Sequence, residues 1–199
     1  STVPESVPAA SDMPVFQVDP LWPKPLPEDW MFGNVVGVAV DSQDNVWIAH
    51  RPSSQNGSEG TPPVLAFNSE GNVVKSWGGQ EAIPEWGTQE HGLYIDYQDN
   101  VWVGFGGGLP YDIKTRATTD NAHFLKFSPD GELLTIWPHI ARPCEVFIAG
   151  EFVYVAELGY HAGIFAWNQV DRSRTGGRVS IFDLEGRLVG RWGGGWNPT

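Results

Sequence analysis

The sequence predicts an all-β fold: three four-stranded sheets, the consecutive blades of a β-propeller, and almost no helix. Three observations carry this. A two-part unit occurs three times, its strands alternate apolar and smaller or polar residues, and each unit ends on a tryptophan. The first half is a strand, a short turn and a second strand: Gly37 to Ala49, Gly92 to Gly104 and Cys144 to Ala156. The second half repeats as Val64 to Trp77, Phe124 to Trp137 and Val179 to Trp192. Two strand pairs make one four-stranded sheet. Trp47 to Trp102 is 55 residues and Trp102 to Tyr154 is 52, close to a propeller blade with loops added.

Each element has a local reason. Val38, Val40, Val46 and Ile48 alternate with smaller or polar neighbours, the pattern of strands buried on one face. Asp41 to Asn45 and Asp96 to Asn100 supply the Asp and Asn that tolerate tight turns. Gly71, Gly131 and Gly186 fall at the tips of the second-half hairpins, where a residue with positive φ is needed. Trp77, Trp137 and Trp192 close the last strands and are expected to be buried between or beside blades. The expected blades are about 35–79, 90–137 and 142–194, within a segment 35–199.

Residues 1–34 read differently, as a flexible lead-in and a Pro-rich arm. Ser1 to Ser11 is rich in Pro, Ala and Ser. Pro14, Pro20, Pro23, Pro25 and Pro27 forbid a central strand. The arm is expected to lie across the propeller, anchored by Phe16, Trp22 and Trp30. Gly104 to Asp120 and Glu157 to Gly177 read as inter-strand loops, the usual place for a binding site.

Composition narrows the function. Asp plus Glu is 24 against 12 Lys plus Arg, a formal charge of −12. That argues against nucleic acid and against an anionic membrane surface as partners. No segment has the length and apolarity of a membrane span. Cys144 is the lone cysteine, so no intrachain disulfide forms. With the lead-in, the chain reads as a mature exported one, extracellular or periplasmic. The Gly-Gly runs precede no helix, so the phosphate-binding logic of a nucleotide loop is missing.

The units resemble NHL repeats, which build many six-bladed propellers. More closely, Leu21 to Pro27, Gly37 to Ala49, His50-Arg51-Pro52 and Glu90 to Asp96 resemble bacterial relatives of the peptidyl-α-hydroxyglycine α-amidating lyase family. The likeness is best over 15–137; beyond Arg142 only the general repeat remains. It implies a zinc-dependent lyase that cleaves carbinolamides, with zinc, calcium or both as cofactors. In that family an arginine after the first hairpin lies at the active site, and Arg51 falls there. Three histidines hold zinc at the starts of innermost strands, and His91 matches the first. Two main-chain carbonyls help hold calcium, and Val38 and Leu93 match them. An imidazole set with an open fourth position suits a zinc that activates substrate.

The other two zinc histidines are absent. The third unit opens Arg142-Pro143-Cys144, and His50, His123, His139 and His161 stand away from blade openings. Each residue therefore keeps two readings. His91 is a ligand or a hydrogen-bonded strand cap. Arg51 forks onto a substrate carboxylate or pairs with a local one such as Glu59. Cys144 is a thiolate ligand or a small buried apolar residue. Asp41 and Asp96 bind calcium or serve their turns.

Three blades are half of a six-bladed ring, and an open half exposes apolar faces and strand edges. Three resolutions follow: two chains closing one ring, many copies joined edge to edge as a fibre, or a fragment or shortened relative closed by the N-terminal arm; self-association through blade edges is the expected one. The arm is poorly suited to pair with an edge. The first functional reading is a non-enzymatic exported propeller that binds or assembles, with a small molecule or peptide as a further ligand. The second is the lyase.

Overall fold

The computed structural model describes residues 15–27, 29–87, 89–106, 123–137, 143–157 and 177–193. Within these residues twelve strands form three four-stranded antiparallel sheets. Blade 1 holds β1 (Asn34–Val40), β2 (Val46–Arg51), β3 (Val64–Phe67) and β4 (Val73–Trp77). Blade 2 holds β5 (Glu90–Ile95), β6 (Val101–Phe105), β7 (His123–Phe127) and β8 (Leu133–Trp137). Blade 3 holds β9 (Pro143–Ala149), β10 (Phe152–Glu157), β11 (Arg178–Asp183) and β12 (Leu188–Gly193). Each sheet runs in chain order, as a meander. Among the described residues the helical content is one 3-10 turn, Pro52–Ser54, and no helix is long and apolar enough to cross a membrane.

The turns follow the expected chemistry. Gly71, Gly131 and Gly186 have φ of +84°, +85° and +83°. In the first-half hairpins Asp44 and Asp99 take φ of +61°. Asp41 Oδ1 accepts the backbone N–H groups of Gln43 and Asn45, and Asp96 Oδ1 those of Gln98 and Asn100. Each carboxylate thus replaces missing ladder bonds at its own turn.

The hydrophobic cores lie between blades. Trp47, Ala49, Val64 and Ala66 of blade 1 meet Leu93, Val101, Val103, Phe105, Leu125 and Phe127 of blade 2, with Trp86 from the connection. Trp102, Phe124 and Trp137 of blade 2 meet Val146, Val153, Val155 and Phe182 of blade 3. Innermost strands run close: a Cβ on Gly37 would stand 2.6 Å from the Leu93 nitrogen, and one on Gly92 2.3 Å from the Cys144 carbonyl oxygen. Blades are joined by packing, so each blade's burial depends on having a neighbour.

That dependence corrects three expectations. Val38 and Val40 are exposed, not buried, because they face away from blade 2. Trp192 is 54% exposed, whereas Trp137 at the same place in blade 2 is 7% exposed under blade 3. Phe16 is exposed and anchors nothing; Trp22 and Trp30 are half-buried. The loops beyond Gly106 and Glu157, with Arg142, His139 and His161, the lead-in and the end of the chain after Gly193, lie outside the described residues.

Candidate functional site

Two places gather the features that chemistry or binding would use. The first is the rim where β2 ends and β5 begins. Arg51 closes β2 and its Nε donates to the Glu90 carbonyl at 2.9 Å, across the boundary between blades 1 and 2. Glu90 opens β5, is buried, and its Oε1 accepts the Trp86 indole N–H at 2.9 Å. His91 follows directly, half-buried, opposite Gly104. Arg51 and His91 therefore share one rim. The alternative pairing of Arg51 with Glu59 does not form, since the Glu59 carboxylate accepts the Gly57 N–H at 2.8 Å instead. Val38 and Leu93 sit on the innermost strands β1 and β5, paired to Ile48 and Val103. Cys144 is half-buried at the start of β9.

Among the described residues no group of three or more His, Cys, Asp or Glu side chains is placed to hold a metal ion. Of the three histidines the resembled zinc site takes, His91 is the one matched at the start of an innermost strand; His50 holds Gly33 and the Pro62 carbonyl. These residues alone do not make that site. Asp41 and Asp96 are committed elsewhere: Asp41 Oδ2 accepts the Trp47 indole N–H at 2.8 Å, and Asp96 Oδ2 that of Trp102 at 3.1 Å and the Lys126 ammonium at 3.0 Å. Burial pushes both carboxyls up, but the indole, amide and backbone donors outweigh it and hold them below the ordinary range. The recurring Asp-x5-Trp spacing was the sequence signal for this contact.

The second place is the pair of outward blade faces. On the inner strand Val38, Leu93 and Val146 occupy one repeat position, at 64%, 3% and 1% exposure. Leu93 lies against blade 1 and Val146 against blade 2; among the described residues no blade covers Val38. On the far side, Phe147 is 56% exposed, and Trp192 joins it. Apolar area of this kind normally marks an interaction surface.

The outer half of the front face is covered. Phe67 is fully buried beneath Trp22, ring centroids 5.9 Å apart, and Phe32, at 6.1 Å. The arm does not pair as a strand, consistent with its prolines; it seats one indole. Lys24 N donates to the Gly71 carbonyl at 2.9 Å. The following stretch is pinned more firmly. Met31 N–H donates to Thr61 Oγ1 at 2.8 Å, and Gly33 N–H to His50 Nδ1 at 3.0 Å. With Nδ1 accepting, His50 Nε2 carries the proton and donates to the Pro62 carbonyl at 2.9 Å. Burial pushes this imidazole below its ordinary value, with the Pro62 carbonyl opposing.

A further buried network escaped the sequence. Glu157 Oε2 accepts two bonds from Arg178, at 3.0 and 2.7 Å, Oε1 accepts the Ser180 hydroxyl, and Arg191 Nε reaches Ser180 Oγ at 3.1 Å. Its members come from three strands, so no local spacing announces it.

No protein-family model matches the sequence, and no curated protein matches it. Among solved structures, a protein of unknown function from Bacteroides caccae is 16% identical with a TM-score of 0.47, over 79% of this chain and 45% of its own. Virginiamycin B lyase from Staphylococcus aureus is 12% identical, TM-score 0.45, over 80% and 41%. A gluconolactonase from Xanthomonas campestris is 16% identical, TM-score 0.44, over 82% and 62%. The chain spans less than half the length of the first two. Likenesses of this degree carry no argument about activity.

Proposed function

We propose that this is an exported, non-enzymatic propeller protein that works by binding or self-assembly through its outward blade faces. The observation that supports it is the contrast at one repeat position: Val38 at 64% exposure against Leu93 at 3% and Val146 at 1%. Blade 1 carries the front that blades 2 and 3 bury, and blade 3 carries the back that blades 1 and 2 bury. Joining blade 3 of one copy to blade 1 of another would bury both. Two copies of three blades would make a closed six-bladed ring; imperfect closure would propagate a filament. Sedimentation or light scattering at about 1–50 μM, concentrations that span ordinary affinities for a standard-size interface, tests this. A concentration-dependent mass of two chains or more is expected. A folded, monodisperse species of one chain throughout removes the reading.

A second reading is favoured by the Arg51–Glu90 hydrogen bond, which puts Arg51 and His91 on one rim. In a metal-dependent lyase of the amidating type, Arg51 would hold an anionic group and His91 would supply one ligand, with calcium on the Val38 and Leu93 carbonyls. Zinc would supply Lewis-acid activation of the carbinolamide. Elemental analysis of the purified protein beside His91→Ala tests it: metal content unchanged by the substitution removes His91 from any site.

A further inference from the structure

Three tryptophans in this chain sit on the same kind of seat. Trp77, at the end of blade 1, packs on Phe127 with ring centroids 4.8 Å apart, and a Cβ on Gly131 would stand 2.7 Å from its Cγ. Trp137, at the end of blade 2, packs on Phe182 at 5.6 Å, with its ring 3.6 Å from a Cβ on Gly186. The seat is a Phe four residues before a hairpin glycine with positive φ, and the occupant is the terminal tryptophan of the preceding blade. Blade 1 has the same seat, Phe67 and Gly71. Its occupant is Trp22 of the arm, 5.9 Å from Phe67, with Cδ1 3.0 Å from a Cβ on Gly71. Trp192, the tryptophan that ends blade 3, has no such seat among the described residues and is 54% exposed; it has a ring contact with Tyr154 of its own blade, at 6.0 Å.

We propose that Trp22 is a stand-in for the terminal tryptophan of a preceding blade, and that the Phe67–Gly71 seat beneath it is a docking site for Trp192 of a second copy, which displaces the arm. This deepens the self-association reading above and rests on it. The occupant is specified by the chain itself: Trp192 is what blade 3 presents, and Phe67 with Gly71 is blade 1's copy of the seat that blades 2 and 3 offer to Trp77 and Trp137.

The arm is built to leave. Its hold on the seat is one half-buried indole, a long 3.4 Å bond from Trp22 Nε1 to the Asn68 carbonyl, and the bond from Lys24 N to the Gly71 carbonyl. Val15, Phe16, Val18 and Leu21 lie exposed. The arm also leaves Val38 and Val40 open, which a whole blade would cover. The anchors at Met31–Thr61 and Gly33–His50 lie beyond the seat, so residues 15–27 can detach without undoing them. The arm thus shields the most apolar part of the front face in the separate chain and weakens association in proportion to how often it is seated.

The test is the association constant of the full chain by sedimentation equilibrium, for wild type, Trp22→Ala, Trp22→Phe and Trp192→Ala, each first checked for an unchanged circular dichroism spectrum. If the arm is seated about nine times in ten, freeing the seat raises the competent fraction and tightens association about tenfold per interface in Trp22→Ala, about a hundredfold for a closed ring of two copies in which two seats must be free. Trp22→Phe, which keeps a ring and guards against a folding defect, shifts it the same way by less. Trp192→Ala should abolish it. Association that Trp192→Ala abolishes but both Trp22 variants leave unchanged overturns the competition and leaves self-assembly standing. A one-chain mass for all four proteins overturns both.

Discussion

Trp137 packs edge-on against Phe182, ring centroids 5.6 Å apart and planes at 64°, and through that contact the last strand of blade 2 closes over blade 3. It also meets Trp102 at 5.2 Å, so one indole ties both blades' aromatic layers together. Removing it leaves a large cavity at the blade boundary. Trp137→Ala should cost about 3–5 kcal/mol. Trp192→Ala, at the equivalent but open position, should cost under about 1 kcal/mol in the dissociated chain, as exposed substitutions generally do. Denaturant titration at low concentration checks both, and similar losses would contradict the packing described.

The hairpin glycines separate crowding from backbone strain. At Gly131 an added Cβ meets the Trp77 ring at 2.7 Å with φ at +85°, so Gly131→Ala suffers both. At Gly150 φ is +58° but nothing lies within 4 Å, leaving strain alone. Gly150→Ala should cost about 1–2 kcal/mol from the left-handed conformation, and Gly131→Ala clearly more. Equal effects in a thermal unfolding comparison would show that the Trp77 seat yields freely.

Acid should weaken blade 2 through Asp96. Its carboxyl is held below the ordinary value, against burial, by Trp102, Lys126, Asn100 and Gln98. A depressed carboxyl stabilises the fold above the unfolded value of about 3.9, and that contribution fades as pH falls through the folded value. Asp96→Asn should lose stability at neutral pH by about 1–3 kcal/mol, since buried donors lose a charged acceptor, and should flatten the stability curve below pH about 4. A wild-type slope retained in the variant would assign the acid sensitivity to other groups.

His50 should add a second pH dependence in a higher window. Its folded value is lowered by burial, with the Pro62 carbonyl opposing, and the neutral ring accepts the Gly33 N–H at Nδ1. The unfolded chain takes up this proton from about pH 6.5 downward and the folded chain does so later. Stability therefore falls with pH through that window and levels off below the folded value. His50→Gln should lack this step in pH-dependent denaturation. A step of undiminished size would exclude His50 as its source.

The formal charge of −12 opposes bringing two copies together. Raising salt from about 0.01 to 0.15 M shortens the screening length from roughly 30 to 8 Å. Association should tighten across that range. A weakening would mean that attractive ion pairs govern the contact, against the apolar faces at Val38 and Trp192.

The sequence by itself determined the blades. Alternation over short strands, Asp and Asn at first-half turns and a glycine at each second-half tip are local signals, each acting within a few residues. Gly71, Gly131 and Gly186 take the positive φ their positions imply, and Asp41 and Asp96 cap their own turns. What a blade buries is a different matter, because that depends on the element packed against it. Val38 and Leu93 are equivalent in sequence and opposite in exposure; Trp137 and Trp192 likewise. The Pro-rich arm reads as poorly suited to pair with a strand edge; only the tertiary structure shows that it seats Trp22 where a neighbouring blade would put its own tryptophan. Arg51 turning to the Glu90 carbonyl, and Glu157 gathering Arg178 and Ser180, were decided the same way, by strands brought together from distant parts of the chain. Burial in a repeat fold is a nearest-neighbour property, and the neighbour is not written in the repeat.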